Sequence, residues 1–176
     1  MVHSIELLLD PDSDAAVRRI WAKLADAELP NQAANTSPSN RPHISLVVAE
    51  RIDADVDILL RPIAQRLPIR CVVGAPLLFG GPRFTVARLV VPSAELLSLH
   101  ADAQDACLPH LLPGPMAHTA PGAWTPHVTL CRRMDPAQLA KALTVVKKLT
   151  RDIRGEFVGM RHWDGNKRVE HPIRIG

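Results

Sequence analysis

The same order of predicted elements occurs twice along the chain, and this repetition restricts the possible folds more than any other feature. In each half, a strand-like segment is followed by a helical pattern, a proline-rich loop, a strand that begins with a histidine, and a second helical pattern. The two histidines, His43 and His127, lie 84 positions apart in corresponding places. The sequence therefore predicts one domain over residues 1–176, built from an internal duplication of about 1–80 and 81–176.

Hydrophobic periodicity locates the elements of this duplication. Strands are predicted at His3 to Leu9, His43 to Val48, Phe84 to Val91, His127 to Cys131, Phe157 to Trp163 and Val169 to Ile175, the last two as a hairpin around Asp164-Gly165-Asn166. Helical faces are predicted by Val17, Ile20, Trp21 and Leu24, by Val56, Leu59, Leu60, Ile63 and Leu67, by Leu96, Leu99 and Ala103, and by Leu139, Ala142, Leu143 and Val146. Pro62 predicts a kink or a late start in the second helix. Asp135, Pro136 and Gln138 give the fourth helix the best-marked start in the chain.

Both histidine strands begin with the same five-residue pattern, PHISL at 42–46 and PHVTL at 126–130. With eight histidines in the chain, roughly 0.6 His-x-Ser/Thr matches arise by chance, so the pattern is significant because of its flanking Pro and Leu and its matching positions. Side chains alternate along a strand, so His43 and Ser45 share one face, and His127 and Thr129 do the same. Strands that meet across a twofold cleft would bring two imidazoles and two hydroxyls together.

These four groups suit phosphodiester chemistry. Two imidazoles that titrate near pH 6.5 can act as general base on an attacking oxygen and general acid on a leaving oxygen. The hydroxyls can donate hydrogen bonds to the non-bridging phosphate oxygens, where charge collects in the transition state. Arg132, which follows the second motif, is a candidate for neutralising the phosphate. We expect neither a metal nor another cofactor, since no covalent nucleophile or Lewis acid is required.

On the motifs PHISL and PHVTL, the chain resembles the two-histidine (2H) phosphoesterase superfamily, and within it the bacterial 2′-5′ RNA ligase or RNA 2′,3′-cyclic phosphodiesterase group. The segment Ala75 to Phe79 before the strand at Phe84, and Cys131-Arg132 after the second motif, are similar in order and spacing. The resemblance implies a bilobal α+β fold with an antiparallel sheet plus helices in each lobe and both histidine strands facing a central cleft.

The same resemblance implies a role for each motif residue. His43 would donate a proton to the departing ribose oxygen, His127 would accept one from water, and Ser45 and Thr129 would hold the phosphate. Thr is commonest at the position of Ser45, and the substitution keeps the hydroxyl. The chain has no tyrosine for base stacking, so the resemblance does not extend to nucleobase recognition.

Composition limits the partners. The net charge of +3 and the pI near 9.0 favour anionic ligands only weakly, and without a polybasic tail we do not expect binding to long duplex DNA. No apolar run approaches the roughly 18 residues of a membrane span, and the N-terminal segment has acids where a signal peptide has lysines or arginines. Three cysteines without CxxC spacing predict no disulfide framework. We expect a cytoplasmic monomer whose substrates are RNA ends or cyclic nucleotides.

Two other functions remain open at the level of sequence. One is a non-catalytic module of the same fold that binds nucleotides or RNA ends, and the other is a hydrolase with a histidine metal site. The metal-site alternative is weakened because the sequence has neither an HExxH pattern nor a Cys/His cluster.

The remaining candidate residues are weaker: His3, His100, His110, His162 and His171 as structural histidines, His118 in an exposed loop, Arg41 and Arg83 near phosphate, and Trp124 as a base contact or a packing residue. The physiological substrate and the choice between hydrolysis and ligation also stay open.

Overall fold

The structure is a computed structural model that describes residues 2–147 and 151–173. In these ranges the chain forms a mixed α/β fold of strands and α-helices. The strands are β1 (His3–Leu9), β2 (His43–Ile52), β3 (Ile69–Phe79), β4 (Phe84–Val90), β5 (Leu111–Pro115), β6 (His127–Met134), β7 (Ile153–Asp164) and β8 (Val169–Pro172). The helices are α1 (Pro11–Asp26), α2 (Val56–Ala64), α3 (Ala94–Cys107) and α4 (Pro136–Lys147).

All the described strands belong to one antiparallel sheet, and its topology is symmetric. The strand order is β5-β2-β1-β7-β3-β4-β6, with β8 beside β7. The symmetry relates β1 to β4, β2 to β6 and β3 to β7. When each strand in the order β2-β1-β7-β3-β4-β6 is replaced by its counterpart, the same order is obtained in reverse. The α+β pseudo-twofold fold predicted from the sequence is therefore confirmed, with the axis passing between β3 and β7.

The helices follow the same symmetry. Helix α1 packs against α4 and β6, and its counterpart α3 packs against α2 and β2. Each histidine strand thus lies beside a helix from the opposite half of the chain. The surroundings of each histidine strand therefore combine elements from both halves of the sequence. The boundary between the two repeats, near residue 80, stays a prediction.

Local sequence signals explain where the helices begin. Asp135 and Gln138 form a capping box, in which the Gln138 backbone N–H donates to Asp135 Oδ1 (2.8 Å) and the Asp135 backbone N–H donates to Gln138 Oε1 (3.1 Å). Ser93 caps α3 by accepting a hydrogen bond from the Leu96 backbone N–H at 3.2 Å. Helix α2 begins at Val56 and ends two residues after Pro62, so the helix does not start late.

The structure contains two strands that the hydrophobic pattern did not predict. Strand β5 lies in the segment predicted as a proline-rich loop, and it pairs with the end of β2 at the edge of the sheet. Prolines occur there because an edge strand leaves one row of backbone groups unpaired. Strand β3 (Ile69–Phe79) pairs with β4 and β7 and completes the first repeat. The end of the predicted C-terminal strand, at 174 and 175, lies outside the described residues.

The sheet and helices enclose one hydrophobic core. It includes Ile44, Leu46, Val128 and Leu130, the apolar members of the two motifs, all fully buried. Cys71, Cys107 and Cys131 are free and buried. In the described part of the chain, no helix is long and apolar enough to cross a membrane.

Candidate active site

The two motifs present their polar side chains in the same way. In each copy the His and the hydroxyl residue are half-buried, while the residues between and after them are buried. The alternation expected of a strand therefore holds over the motif, and places one polar face toward a cavity and one apolar face toward the core.

A β-bulge lies at the last residue of each motif. Two consecutive residues of β1 pair with Ser45 and Val47 of β2, so Leu46 is the extra residue on β2. Two consecutive residues of β4 pair with Thr129 and Cys131 of β6, so Leu130 is the extra residue on β6. Bulges bend a strand and change the direction of its side chains, and they are common beside active sites. The twofold symmetry therefore extends to the irregularities of the backbone.

The rings of both histidines are fixed by the same contact. His43 Nδ1 lies 2.8 Å from the Arg41 backbone oxygen, and His127 Nδ1 lies 2.8 Å from the Thr125 backbone oxygen. A carbonyl oxygen can only accept, so each Nδ1 carries the proton and donates it. The remaining nitrogen, Nε2, is then a proton acceptor when the ring is neutral and a proton donor when the ring is charged.

Two tryptophans bind the backbone of the motif strands. The Trp21 indole N–H on α1 donates to the Thr129 backbone oxygen at 3.1 Å, and the Trp124 indole N–H donates to the Ser45 backbone oxygen at 3.0 Å. The Trp124 ring also stacks on His100, with ring centroids 3.9 Å apart. Trp124 therefore has a packing role at the site.

A cavity of about 540 Å³ contains residues from both histidine strands. His43 and Ser45 line it from β2, and His127 and Arg132 line it from β6. Thr129 lines a smaller cavity of about 20 Å³ that shares His43 and Arg132 with the larger one. Four of the five residues predicted from the sequence thus line one cavity, and the fifth, Thr129, lines a smaller cavity that shares lining residues with it.

Sequence reasoning missed several polar residues that line this cavity. Glu6 and Arg161 line it and are 3% and 3% exposed. Arg161 Nη2 and Nε each lie 2.7 Å from Glu6 Oε2, and Arg161 Nη1 lies 2.6 Å from Glu170 Oε2. An acid inside the apolar strand HSIELLL was the available signal, because a buried carboxylate needs a charged or hydrogen-bonding partner. Gln32, Asn35, Ser39 and Asn40, from the loop before β2, also line the cavity.

The electrostatic surroundings differ between the two histidines. Burial lowers the pKa of His127, the charges of Arg132 and His43 lower it further, and the hydrogen bond to Thr125 opposes them. The Phe79 ring lies against His127 with centroids 4.5 Å apart. His43 instead has a carboxylate beside it, since its Nε2 lies 3.5 Å from Glu6 Oε1.

The other candidates from the sequence lie elsewhere. His3, His100 and His162 are buried, and His118 is exposed. The remaining arginines have other contacts: Arg41 forms an ion pair with Glu170 at 3.2 Å, and Arg83 donates to the Arg133 backbone oxygen. Among residues 2–147 and 151–173, no three His, Cys, Asp or Glu side chains are grouped as ligands for a metal ion.

Comparison with known proteins identifies similar sequences and folds. A family model described as the 2′-5′ RNA ligase superfamily matches residues 8–166. No curated protein sequence matches the chain. The structure of Kluyveromyces marxianus Usb1 is similar with a TM-score of 0.52 and 10% identity over 97% of each chain. The structure of the same protein with uridine monophosphate has a TM-score of 0.49 and 11% identity, again over 97% of each chain. At 10% identity, the likeness with a TM-score of 0.52 shows the fold alone.

Proposed function

The chain belongs to the 2′-5′ RNA ligase superfamily, and on this premise we propose that it is a metal-independent phosphodiesterase that acts on 2′,3′-cyclic phosphate ends of RNA or nucleotides. The proposal rests on the observation that equivalent hydrogen bonds hold the rings of His43 and His127. Both rings donate Nδ1–H to a backbone carbonyl, and both side chains line one cavity. Each Nε2 is therefore the nitrogen that remains for proton transfer.

The lowered pKa of His127 supports its role as the general base. A base must be neutral before the reaction, and a group with a lowered pKa is neutral over more of the range near pH 7. The Glu6 carboxylate can form an ion pair with the protonated ring of His43, which supports His43 as the general acid. This assignment agrees with the roles implied by the family resemblance.

The reaction then proceeds in one displacement at phosphorus. Water gives a proton to His127 Nε2 while its oxygen forms a bond to phosphorus, and the bond from phosphorus to one ribose oxygen breaks. His43 Nε2 gives its proton to that ribose oxygen. The products are a phosphomonoester and a free ribose hydroxyl, and the two histidines have exchanged protonation states. An RNA 5′-hydroxyl in place of water would form a 2′-5′ linkage by the same steps.

The other residues stabilise the phosphate during this displacement. The Ser45 and Thr129 hydroxyls lie two positions after the histidines on the same strand faces, where they can donate to non-bridging oxygens. Arg132 lines both cavities and supplies a positive charge near the same position. Hydrogen-bond donors and a cation placed before the reaction lower the energy of the transition state without reorganisation.

A substrate panel tests the proposal. The purified protein is incubated with 2′,3′-cyclic nucleotides, a short RNA that ends in a 2′,3′-cyclic phosphate, and a 3′,5′-cyclic nucleotide, each with and without excess EDTA. We expect turnover of a 2′,3′-cyclic substrate that EDTA does not reduce. Activity that EDTA abolishes and zinc restores would show a metal enzyme, and binding of every substrate without turnover would show a binding module.

Histidine variants test the mechanism. His43→Ala and His127→Ala should each lower kcat/KM by about 10² to 10⁴, because general acid or base catalysis is worth about that much. The double variant should lose far less than the product of the two losses, since both residues act in one proton-transfer cycle. Circular dichroism checks folding. A folded single variant with near-parental turnover would overturn the paired mechanism.

A further inference from the structure

The two histidine strands have matching backbones, but the neighbouring strands place different side chains beside them. Ser45 on β2 pairs with Glu6 on β1, and Thr129 on β6 pairs with Ala87 on β4. Glu6 and Ala87 therefore occupy equivalent positions in the pseudo-twofold fold. One motif has a carboxylate at this position, whereas the other has a methyl group.

Glu6 is ionised and held in place by four contacts. Its Oε1 accepts a hydrogen bond from the Ser4 hydroxyl at 2.6 Å and lies 3.5 Å from His43 Nε2. Its Oε2 accepts a hydrogen bond from Arg161 Nε and lies 2.7 Å from Arg161 Nη2 in an ion pair. Burial raises the pKa of the Glu6 carboxyl, but the charges of His43 and Arg161 and the hydrogen bonds from Ser4 and Arg161 outweigh it and lower the pKa. The side chain is therefore a fixed negative charge.

The orientation of the His43 ring determines how it responds to this charge. Nδ1 already donates to the Arg41 backbone oxygen, so in the neutral ring the unprotonated Nε2 lies 3.5 Å from an anionic oxygen. A proton on Nε2 turns this approach into a charge-assisted contact. The geometry at Glu6 thus favours the protonated ring.

Other charged groups around His43 do not repeat this contact. Arg161 from β7 holds Glu6 and also pairs with Glu170 from β8, which in turn pairs with Arg41, the residue before the motif. His127 and Arg132 face the same cavity from β6. Of these groups, the Glu6 carboxylate is the one that forms an ion pair with His43 among the described residues.

We propose that Glu6 is a positioning residue that breaks the twofold equivalence of the two histidines and makes His43, rather than His127, the proton donor. This inference rests on the proposed function. With Ala87 at the equivalent position, His127 has no carboxylate partner among the described residues, so His127 stays the proton acceptor. Two motifs that duplication made alike thereby acquire opposite roles from one residue outside them.

The test compares Glu6→Gln with the parent in pH profiles of kcat/KM. The rate falls at high pH when the acid loses its proton, so weaker retention of the proton by His43 moves the alkaline limb to lower pH. We expect about a tenfold loss of kcat/KM on the alkaline limb. The acidic limb, set by the base, should not move. Glu6→Asp keeps the charge and should restore part of the shift.

Glu170→Gln is the matched control. Glu170 is the second carboxylate on Arg161, so both variants remove one partner of the same guanidinium, but Glu170 does not contact His43. We expect the control to have the parental profile. A Glu6→Gln variant that loses activity equally at all pH values, or that shifts the acidic limb, overturns the proposal. An equal shift in Glu170→Gln overturns it as well.

A measurement without substrate separates this inference from the proposed function. Titration of the ring nitrogens by ¹⁵N NMR gives the order in which the two histidines lose their protons. We expect His43 to keep its proton to higher pH than His127 in the parent, and to keep it less well in Glu6→Gln. The reverse order in the parent overturns the inference even if Glu6→Gln fails to fold. If no substrate is turned over but this order is found, the proposed function fails and the role of Glu6 in charging His43 stands.

Discussion

At the scale of single residues, the hydroxyls of Ser45 and Thr129 have the simplest task, which is to hold the phosphate. Ser45→Ala and Thr129→Val should each lower kcat/KM by roughly 10 to 10³, because each removes one hydrogen bond to oxygens that gain charge in the transition state. Steady-state kinetics on the active substrate measures this loss.

Thr85→Val is a suitable control for the hydroxyl variants, because Thr85 also lies on a strand but does not line the cavity. It should keep parental kcat/KM. Full activity in both Ser45→Ala and Thr129→Val would mean that these hydroxyls do not contact the phosphate.

At the scale of elements, each histidine strand depends on a tryptophan outside it. Trp21 and Trp124 donate to the backbone oxygens of Thr129 and Ser45, respectively. Replacement by Phe keeps most of the packing but leaves the carbonyl without this donor. Trp21→Phe and Trp124→Phe should therefore each lower the free energy of unfolding by about 1–3 kcal/mol. Urea unfolding measures the change.

Trp163→Phe serves as the comparison for the tryptophan variants. The Trp163 indole makes no hydrogen bond to the described residues, so its replacement should change stability less. If all three variants lose the same free energy, the loss comes from packing, and the two indole hydrogen bonds do not stabilise the motif strands.

At the scale of the whole molecule, buried histidines make stability depend on pH. Burial lowers the pKa of His3, His100 and His127, and for His3 and His127 neighbouring positive charges lower it further. Below the ordinary pKa near 6.5, the unfolded chain binds protons that the folded chain excludes at these sites. The stabilisation that these buried neutral histidines contribute to the free energy of unfolding is therefore present at neutral pH, and it falls as the pH decreases from about 7.

Urea unfolding at pH 7.5, 6.5 and 5.5 measures this dependence. The comparison between variants is of slopes rather than of single values. His100→Gln can still donate to the Thr119 backbone oxygen but does not titrate, and it should reduce the slope. His118→Gln, in an exposed loop, should leave the slope unchanged. An equal slope in His100→Gln and the parent would contradict the prediction.

The sequence by itself determined the features that depend on short-range periodicity. The alternation of apolar and polar residues in PHISL and PHVTL fixed which side chains face the core and which face the cavity. The spacing of Asp135 and Gln138 fixed the start of α4. The repeated order of elements determined the pseudo-twofold topology, because a duplicated chain pairs its equivalent strands in equivalent ways.

Only the tertiary structure decided how residues distant in the chain meet. Glu6 and Arg161 are 155 positions apart and form one buried ion pair, and no local pattern connects them. Strand β5 forms because the edge of β2 offers backbone groups to a proline-rich segment that has little strand propensity of its own. The sequence shows two alike motifs. Among the described residues, the fold places a carboxylate beside His43 but not beside His127, because register across neighbouring strands depends on the whole sheet rather than on the motif.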